Sequence, residues 1–179
     1  MYEQFPVVAG ELSLDPAQMQ DPGVSAAAAG LRGGASGAAS FDVDIEDVVA
    51  SNSRLLVAIS QGDYLTYKHL VDEKLTCFEP EGCGHLVQGL DFHKYYFDRS
   101  KREASSETGN VSVVQPHVRI FGDTALMAYV RLVQVGGKTA RYEETRLWRR
   151  TNQPDAVTSL GKWKLVHFHR SSPKTSFAP

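Results

Sequence analysis

From Phe41 onward, apolar residues recur at three- and four-residue steps: Ile45, Val48, Val49, Leu55, Leu56 and Ile59 share one stripe. That period predicts an amphipathic helix. Ser40 or Asp42 can cap its start, and Gly62 suits its end. Asp63 can cap a second, short helix from Tyr64 to about Val71. Residues 75–78 read as a short strand and residues 79–84 as a loop of turn-formers. Residues 89 to about 98 predict a third helix, carrying Phe92, Tyr95, Tyr96 and Phe97.

Beyond residue 110 the period changes to two, the repeat of a strand with one buried face. Residues 111–121 form a strand interrupted by Pro116, which implies a bulge or an edge position. Gly122-Asp123 turns into a second long strand, residues 125–135. Gly136-Gly137 predicts a two-residue hairpin leading into residues 138–149. A polar loop at 151–161 precedes a last strand at 162–170. Helices followed by a meander of long antiparallel strands is an α+β layout. A curved sheet over the leading helix would leave a concave pocket between them.

The first 40 residues follow neither period. Between Gly23 and Ser40 only Val24, Leu31 and Arg32 are not Gly, Ala or Ser. Such a segment offers little to bury and reads as a flexible tether. Its acids, Glu3, Glu11, Asp15 and Asp21, face one base, Arg32, a balance unlike that of a transit peptide. We therefore divide the chain into an acidic tail at 1–40, a domain at 41–171 and a C-terminal tail at 172–179. The start of the tail, residues 2–8, is apolar and β-prone. Through Tyr2, Phe5 and Val7 it could add itself to a sheet edge or groove; a frayed end is the simpler reading.

Composition narrows the function. The chain has 179 residues and a formal net charge of −2, with 42% hydrophobic and 22% charged residues. This excludes a wholly disordered chain and a basic nucleic-acid binder. No apolar run is long enough to span a membrane, and no secretory signal is visible. Cys77 and Cys83 match no disulfide framework or common zinc spacing, so we expect reduced thiols in a cytoplasmic protein. Cys77 reads as a small core residue.

Register arithmetic supplies the strongest chemical expectation. Across the hairpin at Gly136-Gly137, position 131 pairs with 142, so Arg131 and Arg146 share a face with Tyr129, Tyr142, Glu144 and Trp148. Arg170 joins them if the next hairpin keeps register. Converging guanidiniums need compensation by internal acids such as Glu144 or Glu143, or by a bound anion. Both alternatives stand. Asp91 and His93 invite an acid–base reading of isomerase or dehydratase type, with His93 the proton-transfer candidate; a helix-borne histidine explains them equally well. His167 and His169 share a strand face but lack a third ligand for a metal. No residue pattern calls for a cofactor.

Four blocks in order then resemble one known family: Phe78-Glu79-Pro80-Glu81, Gly89-Leu90-Asp91-Phe92-His93, Glu143-Glu144-Thr145-Arg146-Leu147-Trp148 and Lys162 to Ser171. From about Phe41 to Ser171 the chain resembles the association (hub) domain of calcium/calmodulin-dependent protein kinase II, a family linked to calmodulin binding. The resemblance implies a nuclear-transport-factor-2-like cone and a non-enzymatic scaffold. It implies dimers closing into two stacked rings of about twelve or more copies, with related kinase subunits or docking peptides as partners. It assigns an anion or peptide pocket to Arg131, Arg146, Arg170, His93 and Tyr67. The chain departs from the family at Ser100-Lys101-Arg102, where a tryptophan is frequent, at the short Gly136-Gly137 hairpin and at the longer 151–161 loop. Forty leading residues leave no room for a kinase domain. A free-standing hub, favoured by Met1, and a piece of a longer chain are both open. A carboxylate-sensing binding protein of the same fold is the other competing class.

Overall fold

The computed structural model describes residues 12–14, 35–102, 109–151 and 162–171. The elements in chain order are β1 (Leu12–Leu14), α1 (Ala35–Gln61), α2 (Tyr64–Leu70), β2 (Val71–Phe78), β3 (Val87–Gln88), α3 (Asp91–Arg102), β4 (Asn110–Phe121), β5 (Thr124–Val135), β6 (Lys138–Arg150) and β7 (Trp163–Ser171). A single 3-10 turn, Pro80–Gly82, follows β2. Among the described residues the strands form one sheet in the order β1-β4-β5-β6-β7-β2-β3.

The antiparallel meander β4-β5-β6-β7 is the centre of this sheet, and its register follows from two turns. Gly136 and Gly137 both have positive φ, +55° and +76°. This is the backbone that lets a two-residue hairpin keep the twist of its strands. Arg131 then pairs with Tyr142, as the spacing predicts. In β4 the register shifts between Val114 and His117, with Gln115 at φ +53°. The extra residue at Gln115-Pro116 moves the inward-facing set from Val111 and Val113 to Val118 and Ile120. Further shifts lie between Leu147 and Trp148 and between Val71 and Thr76. Such bulges bend strands and increase twist.

The inner face of the sheet meets the helices. Val48, Leu55 and Leu56 of α1 are fully buried with Leu70, Leu75, Met127, Trp148 and Trp163. The N-terminal half of α1 is tied to β6 and the start of β7 by ion pairs: Asp44 meets Arg150, and Lys162 Nζ lies 2.5 Å from Asp47 and 3.2 Å from Asp44. No described helix is long and apolar enough to cross a membrane.

Several boundaries differ from the sequence reading. Helix α1 begins at Ala35, so residues 35–40 are helical and the expected boundary at Phe41 lies inside the helix. Ser40 and Asp42 therefore do not cap it. Ala35, Ala38 and Ala39 extend a helix already nucleated downstream, because propagation costs far less than nucleation. β2 starts at Val71 rather than Leu75, and β3 pairs with it in a stretch, 85–88, to which the sequence reading assigned no element. Residues 2–8, with Tyr2, Phe5 and Val7, lie outside the described residues, as do 15–34, 152–161 and 172–179. A different tail segment, Leu12–Leu14, pairs parallel with β4 at Val111–Val113.

Asp63 caps α2: its carboxylate accepts from the Thr66 backbone N–H at 3.0 Å and from the Thr66 hydroxyl at 2.6 Å. Removing that acceptor in Asp63→Ala costs about 1 kcal/mol, and Asp63→Asn loses less. The midpoint of urea unfolding measures both.

Candidate functional site

Six elements and one turn converge on a polar cluster enclosed by the sheet. Period-two alternation places Tyr129 and Arg131 of β5, Glu144 and Arg146 of β6, and Phe168 and Arg170 of β7 on the inner face. Register brings Arg170 opposite Glu144. Asn52 of α1, Tyr67 of α2 and His93 of α3 close the other side, all three buried.

Glu144 is the hub of the charge arrangement. Its Oε1 lies 3.3 Å from Arg131 Nη1, and its Oε2 accepts from Arg146 Nη2 at 2.7 Å. The Tyr129 hydroxyl donates a short hydrogen bond to the same carboxylate. Arg146 also donates through Nη1 to Asn52 Oδ1 at 2.8 Å, and its guanidinium sits 5.6 Å from the Tyr129 ring and 5.9 Å from the Phe168 ring. Arg170 belongs to a second group. Its Nη2 lies 2.8 Å from Glu79 and 2.5 Å from Glu81, and it rests over the Tyr142 ring. Three guanidiniums thus meet three carboxylates. Glu143, the other acid considered from sequence, points outward, 3.9 Å from Arg141.

Burial pushes the Glu144 carboxyl up. The Arg146, Arg131 and Arg170 charges and the Tyr129 hydrogen bond outweigh it and hold the group at about 2, against an ordinary 4.5. Burial also raises Arg170's cost of charge, yet Glu79, Glu81 and Glu144 push its pKa above the ordinary arginine range. Burial raises the Tyr129 and Tyr67 hydroxyls beyond their usual range, so both stay protonated donors. The pairing leaves donors unspent. Nε of Arg131, Arg146 and Arg170 and Nδ2 of Asn52 are buried without a partner among the described residues.

The structure brings Arg131, Arg146, Arg170, His93 and Tyr67 into one region. His93 Nε2 lies 3.2 Å from Glu79 Oε1, and the Tyr67 ring is 5.8 Å from the imidazole. Asp91 is exposed at the start of α3, apart from His93. His167 and His169 lie on the opposite sheet face, with His167 Nδ1 2.8 Å from Thr76 Oγ1. Sequence reasoning missed Asn52, Glu79 and Glu81 as members. Asn52 carried a signal: it interrupts the apolar stripe four residues after Val48 and three before Leu55. Glu79 and Glu81 had none, because only the tertiary fold brings their turn to β7. A separate open cleft of about 490 Å³ lies toward the β4–β5 turn, lined by Asp44, Ile120, Asp123, Arg150 and Lys162. Its charges are matched in ion pairs, and it lies away from the arginine cluster.

A carboxyl held at about 2 in the fold and at an ordinary 4.5 when unfolded stabilises the protein fully above pH 4.5. That stability falls as pH drops from 4.5 toward 2, by about 3 kcal/mol in all. Urea unfolding as a function of pH measures the slope. The Glu144→Gln variant starts less stable and lacks this component.

Comparison with known proteins is consistent with this architecture. The family profile described as "Calcium/calmodulin dependent protein kinase II association domain" matches residues 44–174. The delta subunit of calcium/calmodulin-dependent protein kinase type II from Oryctolagus cuniculus is 38% identical over 136 residues. The match covers 73% of this chain but only 24% of that subunit, so the chain spans about a quarter of its length. The hub homology domain from Chlamydomonas reinhardtii is 41% identical, with a TM-score of 0.63 over 73% of this chain and 99% of that one. The hub from S. rosetta is 40% identical, with a TM-score of 0.59 over 71% and 95%. A nuclear-transport-factor-2-like protein from Cytophaga hutchinsonii, 16% identical with a TM-score of 0.55 over 72% and 97%, shares the fold alone. The α+β cone, the polar cluster built on β5, β6 and β7, and a profile match across most of the chain together place this protein in the calcium/calmodulin-dependent protein kinase II association domain family.

Proposed function

We propose that this chain is a non-enzymatic oligomerisation module that gathers copies of itself and holds what is attached to them at high local concentration. The outer face of the sheet carries this reading. A sheet packed on one side ordinarily turns polar residues outward. Here β5 turns Leu126, Ala128, Val130 and Leu132 outward, flanked by Val114 of β4 and Leu147 of β6, all partly exposed. Phe78 and Phe121 are also exposed, at 40% and 58%. A contiguous apolar surface of this kind fits burial against another protein. Membership of a family named for association, and likeness to solved hubs, support a second copy as that protein.

In this reading copies close into a ring of about twelve or more subunits, and a two-fold contact stacks ring on ring. Kinase subunits of the related type would join through the same contacts, gaining effective concentration rather than new chemistry. Native mass spectrometry tests the proposal. We expect a large closed assembly, and Val130→Glu with Leu132→Glu reduces it to smaller species with unchanged circular dichroism. Monomers alone at micromolar concentration would overturn it.

A second reading concerns the cluster of Arg131, Arg146, Arg170, His93 and Tyr67. The unspent Nε donors and Asn52 Nδ2 favour a small carboxylate or an acidic peptide there. The tail segment at Tyr2, Phe5 and Val7, with its acidic Glu3, is one candidate occupant. Calorimetry with a panel of small carboxylates tests this. Binding is expected, lost in Arg170→Ala, and strengthened when residues 1–10 are deleted if that segment competes. No heat with any carboxylate in either chain rejects the reading.

A further inference from the structure

Beside the arginine cluster, three side chains from different stretches of the chain meet at one point. Cys77 is the last inward-facing residue of β2, Glu79 follows it into the turn, and His93 projects from the first turn of α3. Cys77 Sγ lies 3.5 Å from His93 Nε2 and 3.8 Å from Glu79 Oε1, and His93 Nε2 lies 3.2 Å from that same oxygen. We propose that Cys77, Glu79 and His93 form a binding site for a divalent transition metal of the zinc class.

The three distances are the first argument. Tetrahedral zinc bonds sulfur at about 2.3 Å and nitrogen or oxygen at about 2.0 Å, so its ligand atoms stand about 3.5 Å apart where sulfur is involved and about 3.2 Å apart otherwise. The observed triangle agrees to within about 0.3 Å. An ion above its centre therefore asks for almost no movement of the ligands.

Hydrogen bonding alone accounts for this triangle poorly. Three contacts join these atoms, and the thiol and the imidazole Nε2 bring at most two protons to them. Whichever two edges carry those protons, the third is left without one. This is not a relay triad, because Glu79 and Cys77 approach the same imidazole nitrogen. His93 Nδ1 is buried and has no partner among the described residues. One cation replaces both protons and contacts all three atoms.

Charge and support also fit. A thiolate and a carboxylate give the divalent ion two anionic ligands; Glu79 also answers Arg170, so binding with loss of the thiol proton adds one net positive charge to the cluster. Thiolate and imidazole select the zinc class over calcium or magnesium. Arg170 holds the other Glu79 oxygen at 2.8 Å, the outer-shell contact that orients a ligating carboxylate. The rings of Tyr67, Phe92 and Phe168, all 5.8–5.9 Å from the imidazole, fix its plane. On binding, the thiol proton leaves to solvent and the imidazole proton moves from Nε2 to Nδ1. One proton is released per ion.

Titrating the reduced full chain with Co²⁺ alone, then Zn²⁺, tests the site. We expect a sulfur-to-cobalt charge-transfer band that saturates at one ion per chain, with release of one proton, and that Zn²⁺ abolishes. Cys77→Ser removes the band, and Cys83→Ser keeps it. His93→Gln weakens cobalt binding by more than about tenfold while circular dichroism stays unchanged. No band in the unaltered chain overturns the proposal, as does a band that survives Cys77→Ser or vanishes with Cys83→Ser.

Discussion

One carboxylate makes this interior tenable. Arg131 and Arg146 are carried inward by strand alternation, and neither guanidinium can give up its proton. Glu144 sits between them on the same face and answers both, with the Tyr129 hydroxyl completing its shell. Leaving a buried charge unanswered costs about 3–5 kcal/mol, a large share of a domain's net stability. The identity of residue 144 therefore constrains the register of β5 against β6. A slip of one residue would turn Glu144 and Arg146 outward together and leave Arg131 on the inner face without its carboxylate.

The same wall explains how the helices are placed. Arg146 reaches across to Asn52 on α1, so the long helix is docked by a polar contact at its middle as well as by Val48, Leu55 and Leu56. Arg170 fixes the turn after β2 through Glu79 and Glu81. That turn then holds α3 through His93. Charge compensation on the strands thus adds directional contacts to elements that also meet in the apolar core.

Much of this was legible in the sequence, for identifiable reasons. The pairing of Arg131 with Tyr142 needed only strand alternation and a glycine turn, both local. Asp63 as a cap and Pro116 as a bulge were equally local. What escaped were features set by distance in space. The start of α1 at Ala35 depends on propagation from a packed helix, which composition over 23–40 does not report. The short pairs β2–β3 and β1–β4 depend on where an edge happens to lie. Arginine convergence was foreseen for Arg131 and Arg146, but compensation by internal acids and by an anion could not be separated until Glu79, Glu81 and Glu144 were located.

The balance of three guanidiniums against three carboxylates bears on how the two faces of the sheet divide their work. A site already neutral offers a new anion no net attraction. An incoming carboxylate must compete with Glu79, Glu81 or Glu144 for the same donors, or settle for the unspent Nε groups and Asn52 Nδ2. Glu144 is the hardest to displace, because burial isolates it from water while three arginines hold it ionised. The Arg170 group is looser, since Glu81 is only half-buried and lies on a turn. Ligand exchange at the cluster would therefore act first on that turn, next to Cys77 and the β2–β7 pair. The outward-facing Leu126, Val130 and Leu132 sit on β5, whose inward-facing Tyr129 and Arg131 are both held by Glu144. The inner charges fix the sheet's shape, and that shape presents the outer face.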